Sequence, residues 1–188
     1  MSARRLLGIA GSLRRRSYNR SLLVAAGELA PAGLVVSAYD DLGAVPPFDE
    51  DLEAATGGGP AAVRDLRSAV RAADGLLIAT PEYNQSMPGV LKNAIDWLSR
   101  EPDEVLVGKP VVLVGATTGR WGTRLAQGAL RHTLAATEAL VMPAPQLYVA
   151  GAAALFDVSG RLTDESTRRQ LAAVLAAGAR WVEVLAPR

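Results

Sequence analysis

Three short stretches of this chain hold the residues able to do chemistry. The first, Gly11-Ser12-Leu13-Arg14-Arg15-Arg16-Ser17-Tyr18-Asn19, brings a glycine, two hydroxyls, an amide and three arginines together just ahead of a helix pattern. Free N–H groups at a helix start, a favourable dipole and charge-assisted donors make a site for a phosphate dianion. All three arginines cannot face one phosphate, so Arg14 is assigned to the ligand side and Arg15 and Arg16 to solvent or a second anionic substrate. The second stretch, Pro81-Glu82-Tyr83-Asn84-Gln85-Ser86, is rich in donors and acceptors with no hydrophobic purpose. It suits a flat heteroaromatic ring with carbonyl and imide edges: Tyr83 stacks on or closes off the ring, while Asn84 and peptide N–H groups meet its polar rim. In the third, Thr117-Thr118-Gly119-Arg120-Trp121-Gly122, glycines let backbone approach the same ring, with Trp121 as a lid or a subunit contact. The plain alternatives are a solvated basic turn and polar surface turns.

Composition removes many other functions. The chain has no cysteine, which excludes disulfides, thiolate metal sites, a cysteine nucleophile and a dithiol redox centre. Its one histidine, His132, lies midway along a helix pattern and reads as structural or interfacial, leaving no metal site. Redox chemistry would need a borrowed cofactor. The dinucleotide pattern G-x-G-x-x-G and the nucleotide-triphosphate pattern are both absent after the first strand, and the loop serine lacks the G-x-S-x-G frame of a hydrolase. Lys and Arg total 20 against 19 Asp and Glu, so no global field recruits nucleic acid or an anionic membrane. The apolar run after Arg5 is broken by Gly8 and too short for a signal peptide or membrane span, and a cytoplasmic protein is expected.

The elements that must position these loops follow from periodicity. Strand patterns fall at 6–10, 34–39, 75–79 and 110–116, with a fifth in the 141–149 region interrupted by Pro143 and Pro145. Helix patterns run over 17–30, 60–73, from Pro88 to about 98, over 122–140, and from about 163 onward. On the second of these, Val63, Leu66 and Val70 face inward and Arg64, Arg67 and Arg71 mainly outward. Residues 40–59, with Pro46-Pro47 and three successive glycines, read as one long irregular loop. Trp97 and Trp181 read as core or interface residues. In the 188-residue chain, five strands alternating with five helices predict one domain: an α/β, doubly wound, five-stranded parallel sheet with helices on both faces. In the order 2-1-3-4-5, ligands sit at the carboxyl ends of strands one and three, flanked by strand four, and the three loops leave those strands.

Gly11-Ser12-Leu13-Arg14 with Ser17 and Asn19, and Pro81-Glu82-Tyr83-Asn84 running into Pro88-Gly89-Val90-Leu91-Lys92-Asn93-Ala94-Ile95-Asp96-Trp97, closely resemble the NAD(P)H-dependent FMN reductases. That family has a flavodoxin-like fold and includes quinone, chromate and azo-dye reductases. The likeness extends to Pro46 through Leu52 and to Phe156 through Asp164. It implies that Ser12, Arg14, Ser17 and Asn19 hold the FMN phosphate. It implies also that Pro81, Glu82, Tyr83 and Asn84 line the ribityl chain and isoalloxazine; the loop chemistry adds Gln85 and Ser86 to the cofactor-binding set, and Thr117 and Gly119 from the third loop. In the third loop this chain has Trp121-Gly122-Thr123 where members commonly show a glycine pair. The flavin carries the reactive atoms, so no catalytic side chain is expected. NADPH or NADH is the implied reductant, a quinone, free flavin or similar small molecule the electron acceptor, and the cycle ping-pong. Members are dimers or tetramers, and the face bearing Arg124, Gln127 and Arg131 is the expected contact surface. The rival function is a flavodoxin-type one-electron carrier that binds FMN without hydride chemistry; such carriers are markedly acidic, whereas this chain carries formal net charge +1.

Overall fold

The computed structural model describes residues 3–102 and 104–186. Strands β1 (Arg4–Ala10), β2 (Leu34–Tyr39), β3 (Gly75–Ala79) and β4 (Pro110–Ala116) pair in parallel in the order β2-β1-β3-β4. Every residue of β3 and β4 is buried, as their unbroken apolar runs require of strands covered on both faces. The expected fifth strand is two short ones, β5 (Leu140–Val141) and β6 (Leu147–Val149), each parallel to β4. Pro143 and Pro145 lie between them, where a ring nitrogen cannot donate to a ladder. The sheet therefore has six strands, in the 2-1-3-4-5 order predicted for the first five.

Alternate side chains of each central strand serve opposite layers. Leu6, Leu77, Val112 and Val114 pack with α1 (Tyr18–Leu29) and α6 (Glu165–Leu185). Ile9, Leu76, Ile78 and Leu113 pack with α3 (Ala61–Ala72), α4 (Gly89–Leu98) and α5 (Arg124–Ala136). Burial of these large aliphatic side chains, each contributing about 1.5–3 kcal/mol, is the main force fixing the layers.

The 40–59 connection is more ordered than its composition suggests. Asp49 caps a short helix α2 (Glu50–Ala55), its Oδ1 accepting from the N–H groups of Asp51 and Leu52 at 2.8 and 3.2 Å. Asn93 of α4 accepts from the N–H of Phe48 at 2.7 Å and donates to the carbonyl of Pro46 at 2.8 Å, where the Trp97 indole N–H also donates at 2.9 Å. Trp97 is fully buried, with Phe48 edge-on at 4.9 Å. Arg67 corrects the expectation that it faces outward: it is buried, donating to the Trp97 carbonyl at 2.8 Å and to the Gly58 carbonyl, with Glu53 at 3.7 Å. Its position four residues after Val63 and three before Val70 places it on the inward stripe, and three oxygens satisfy its charge there.

Candidate active site

The site begins where β1 ends. The N–H of Gly11 donates to the Ala79 carbonyl at 2.9 Å, joining the exits of β1 and β3. A Cβ at Gly11 would strike the buried Leu91 side chain of α4, so any larger residue here would force that side chain to shift. Beyond it, from Ser12 to Tyr18, no backbone N–H donates to an acceptor among the described residues. Ser17 caps α1, its Oγ accepting from the N–H groups of Asn19 and Arg20 at 3.2 and 3.4 Å, which leaves its hydroxyl proton free to donate. The buried Ser12 hydroxyl has no internal partner among the described residues. The result is a run of unspent donors at a helix start, the arrangement that binds a phosphate.

A cavity of about 240 Å³ opens over these donors, lined by Ser12, Arg14, Ser17, Asn19, Pro81, Glu82, Tyr83 and Thr117 of the predicted set. Of the three arginines only Arg14 reaches it; its guanidinium donates to the Arg16 carbonyl at 3.1 Å and lies 5.8 Å from the Tyr18 ring centre. Tyr18 is itself part of the wall and packs on Phe156 at 5.1 Å, so the arginine rests on an aromatic pair tied to the core. Sequence reading passed over Tyr18, Ala116 and Thr118, which also line the cavity. Tyr18 stood inside the first motif, with an aromatic ring as its signal. Thr118 stands in the third stretch with a hydroxyl as its signal, whereas Ala116 carries none and is there because β4 ends between the other two loops.

The second loop is a tight reversal. Tyr83 and Ser86 exchange both N–H···O bonds at 3.0 Å, and Asn84 and Gln85 between them have φ of 49° and 65°. Two successive left-handed residues make a primed turn, in which asparagine is at ease and glutamine is strained. Asn84, Gln85, Ser86 and Gly119 lie outside the cavity wall, and Tyr83, half exposed at its edge, is the outermost residue of this loop on it. Trp121 is 69 % exposed beside Arg120, 4.7 Å from its ring centre.

Two predicted site residues have their polar atoms committed to the frame. The Asn19 amide donates to the Ala116 carbonyl and its oxygen accepts from the Ala116 N–H, both at 2.9 Å, clamping α1 to the end of β4. The Glu82 carboxylate accepts from the N–H groups of Leu125 and Ala126 at 2.9 and 3.0 Å. Thr123 at the start of α5 makes no side-chain cap, so Glu82 supplies it from another loop and places its charge on the positive helix end. Gln127, expected on a contact surface, is fully buried: its amide donates to Thr123 and to the Leu147 carbonyl, at 3.0 and 2.9 Å. It stands on the inner stripe of α5 with Leu130 and Leu134, which ends that proposed face.

With this geometry in place, comparison with known proteins is direct. The model of the NADPH-dependent FMN reductases matches residues 4–154. The chain belongs to the NADPH-dependent FMN reductase family. It is 44 % identical over 181 residues to an NAD(P)H-dependent FMN reductase of Pseudomonas aeruginosa, covering 96 % of each chain. It is 38 % identical over 175 residues to a 2-hydroxy-1,4-benzoquinone reductase of a Burkholderia species, covering 93 % of each. The structure of FerB, a flavoenzyme NAD(P)H:(acceptor) oxidoreductase of Paracoccus denitrificans, superposes with a TM-score of 0.87 at 32 % identity, over 97 % of this chain and 98 % of that one. Like its family, the protein is an oxidoreductase with FMN as cofactor and NAD(P)H as reductant. FMN reductases need a phosphate cradle and a ring site, and the unspent donors from Ser12 to Tyr18 with Arg14 meet the first requirement. No group of metal-ligating side chains occurs among the described residues, and none of their helices is long and apolar enough to cross a membrane.

Proposed function

We propose that the protein is an FMN-dependent NAD(P)H oxidoreductase that passes hydride equivalents to a quinone, free flavin or similar small acceptor in a ping-pong cycle. The observation that carries this reading is the donor cradle at α1 opening into a cavity walled by all three polar loops. When bound, FMN supplies the hydride-accepting and hydride-donating centre. The chain's own part is placement. Ser12, Ser17 and Arg14 with the Ser12–Tyr18 N–H groups hold the phosphate; Pro81 to Ser86, with Thr117 and Gly119, border the ribityl chain and ring. Asn19 and Glu82 act at one remove, fixing the β4 exit and the start of α5. Reductant and acceptor use one open face in turn, the first leaving before the second enters. The exposed side chains of Tyr83, Trp121 and Leu125 support a homodimer or homotetramer in which a second copy covers them. A single FMN-binding domain working in the cytoplasm completes the proposal.

Reconstitution with FMN followed by anaerobic addition of NADH or NADPH tests it. Loss of the oxidised-flavin absorbance, recovered on adding a quinone, is the expected result. A bound flavin that stays oxidised overturns the reading, and a stable blue semiquinone during stepwise reduction would instead identify a one-electron carrier.

A further inference from the structure

A second cavity, of about 410 Å³, lies on the outer flank of α1, and Ser17 lines both it and the phosphate cradle. Arg15 and Arg20 border it from the start of α1, Arg161 from the turn ahead of α6, and the hydroxyl residues Ser21 and Ser159 complete its polar wall. Its one carboxylate, Glu28, already pairs with Arg168 at 3.3 Å, and Arg20 pairs with the exposed Asp40 at 2.8 Å. Among the described residues, the guanidinium groups of Arg15 and Arg161 have no hydrogen-bond or ion-pair partner. Two unneutralised cations therefore border a hydroxyl-lined hollow.

The turn that presents Arg161 is fixed. Asp157 Oδ1 accepts from the N–H groups of Ser159 and Arg161, both at 2.9 Å, and from the Ser159 hydroxyl at 2.6 Å. Gly160, at φ +87°, packs so closely on α1 that a Cβ there would lie 3.1 Å from Ser21 Oγ. Phe156 anchors the same segment on Tyr18 of the cradle wall.

Planar, permanently charged forks beside the Ser21 hydroxyl match a phosphate monoester, the Ser159 proton being already given to Asp157, and the hollow has room for the sugar that carries it. Its shared wall with the flavin-phosphate site favours a ligand that also reaches the ring. We propose that this cavity binds a phosphate monoester, supplied in turnover by the 2′-phosphate of NADPH. The inference rests on the oxidoreductase reading above and makes Arg161 a specificity residue outside the flavin cavity.

The test is kinetic and uses the FMN-loaded enzyme. Arg161→Ala lowers kcat/KM for NADPH about tenfold, the loss of one charge-assisted contact, and leaves the value for NADH within about twofold. Arg161→Lys retains a cation and recovers part of the NADPH value. Equal losses with both nucleotides, or no change with either, overturn the assignment. Calorimetric titration with 2′,5′-ADP and with inorganic phosphate gives a readout that stands without turnover. Binding of 2′,5′-ADP that weakens about tenfold in Arg161→Ala supports the site. Inorganic phosphate binding as tightly as 2′,5′-ADP, with an unaltered preference between NADPH and NADH, assigns the cavity to free phosphate and refutes the nucleotide role. Failure of both nucleotides to reduce the flavin refutes the oxidoreductase reading, while the titrations still decide whether the cavity binds the monoester.

Discussion

At the scale of single residues the site separates into groups that face a ligand and groups that hold those groups in place. Arg14 is of the first kind: its charge lies at the cavity and its only described contacts are one carbonyl and one aromatic ring. Arg14→Ala is expected to weaken FMN binding about tenfold, as loss of one charge-assisted contact would. Quenching of flavin fluorescence on titration measures this, and unchanged affinity would remove Arg14 from the cradle. Glu82 is of the second kind. Glu82→Ala leaves two N–H groups of α5 uncapped and is expected to cost about 1–2 kcal/mol in urea unfolding of the apoprotein. Glu82→Gln keeps an acceptor oxygen without the charge, so its loss should be smaller. A Glu82→Ala variant as stable as the parent would show that the cap contributes nothing.

Elements account for what could be read from sequence and what could not. Buried strands were plain in β3 and β4 because continuous apolar runs have one structural use. The order of strands followed from the alternation with helices, and the three loops from the polar residues leaving those strands. The inward place of Arg67 is hidden by its charge: the oxygens that receive it come from Gly58 and Trp97, and neither carbonyl shows in a side-chain pattern. The framing roles of Glu82 and Asn19, which also line the cavity, do not show in sequence for the same reason, since their partners are backbone groups of α5 and β4, distant in sequence. Arg67→Ala is expected to destabilise by about 2–3 kcal/mol in chemical denaturation, below the usual value for splitting a buried pair, because Glu53 keeps Arg100 at 3.0 Å. A change within experimental error would show that those carbonyls find other donors.

The longest helix adds a pH dependence. The Asp164 carboxylate accepts from the hydroxyl and the N–H of Thr167, both at 2.7 Å, and these bonds, the hydroxyl's first, hold its pKa below the ordinary 3.8. A depressed carboxylate stabilises the fold above its unfolded value, and that contribution is lost as pH falls through the folded value. The window therefore lies below pH 3.8. Asp164→Asn keeps an acceptor but does not titrate, so the stability difference between parent and variant should shrink as pH is lowered through that window. A difference constant down the acid limb of paired melting curves would sever the cap from the acid sensitivity.

For the whole molecule, the donor cradle couples ligand binding to global stability. The N–H groups from Ser12 to Tyr18 connect β1 to α1, and Asn19 ties that helix to β4, so a phosphate held there braces the centre of the sheet. At a concentration one hundred times its dissociation constant, FMN should add about 2.7 kcal/mol to folding. For a domain of this size that corresponds to a rise in Tm of about 5–11 °C. Riboflavin presents the same ring without the phosphate. If the cradle is the anchor, riboflavin at equal concentration raises Tm far less, and Arg14→Ala narrows the gap between the two ligands by lowering the FMN value alone. Equal shifts for both ligands in the parent protein would place the binding energy in the ring site and leave the first loop without a phosphate role.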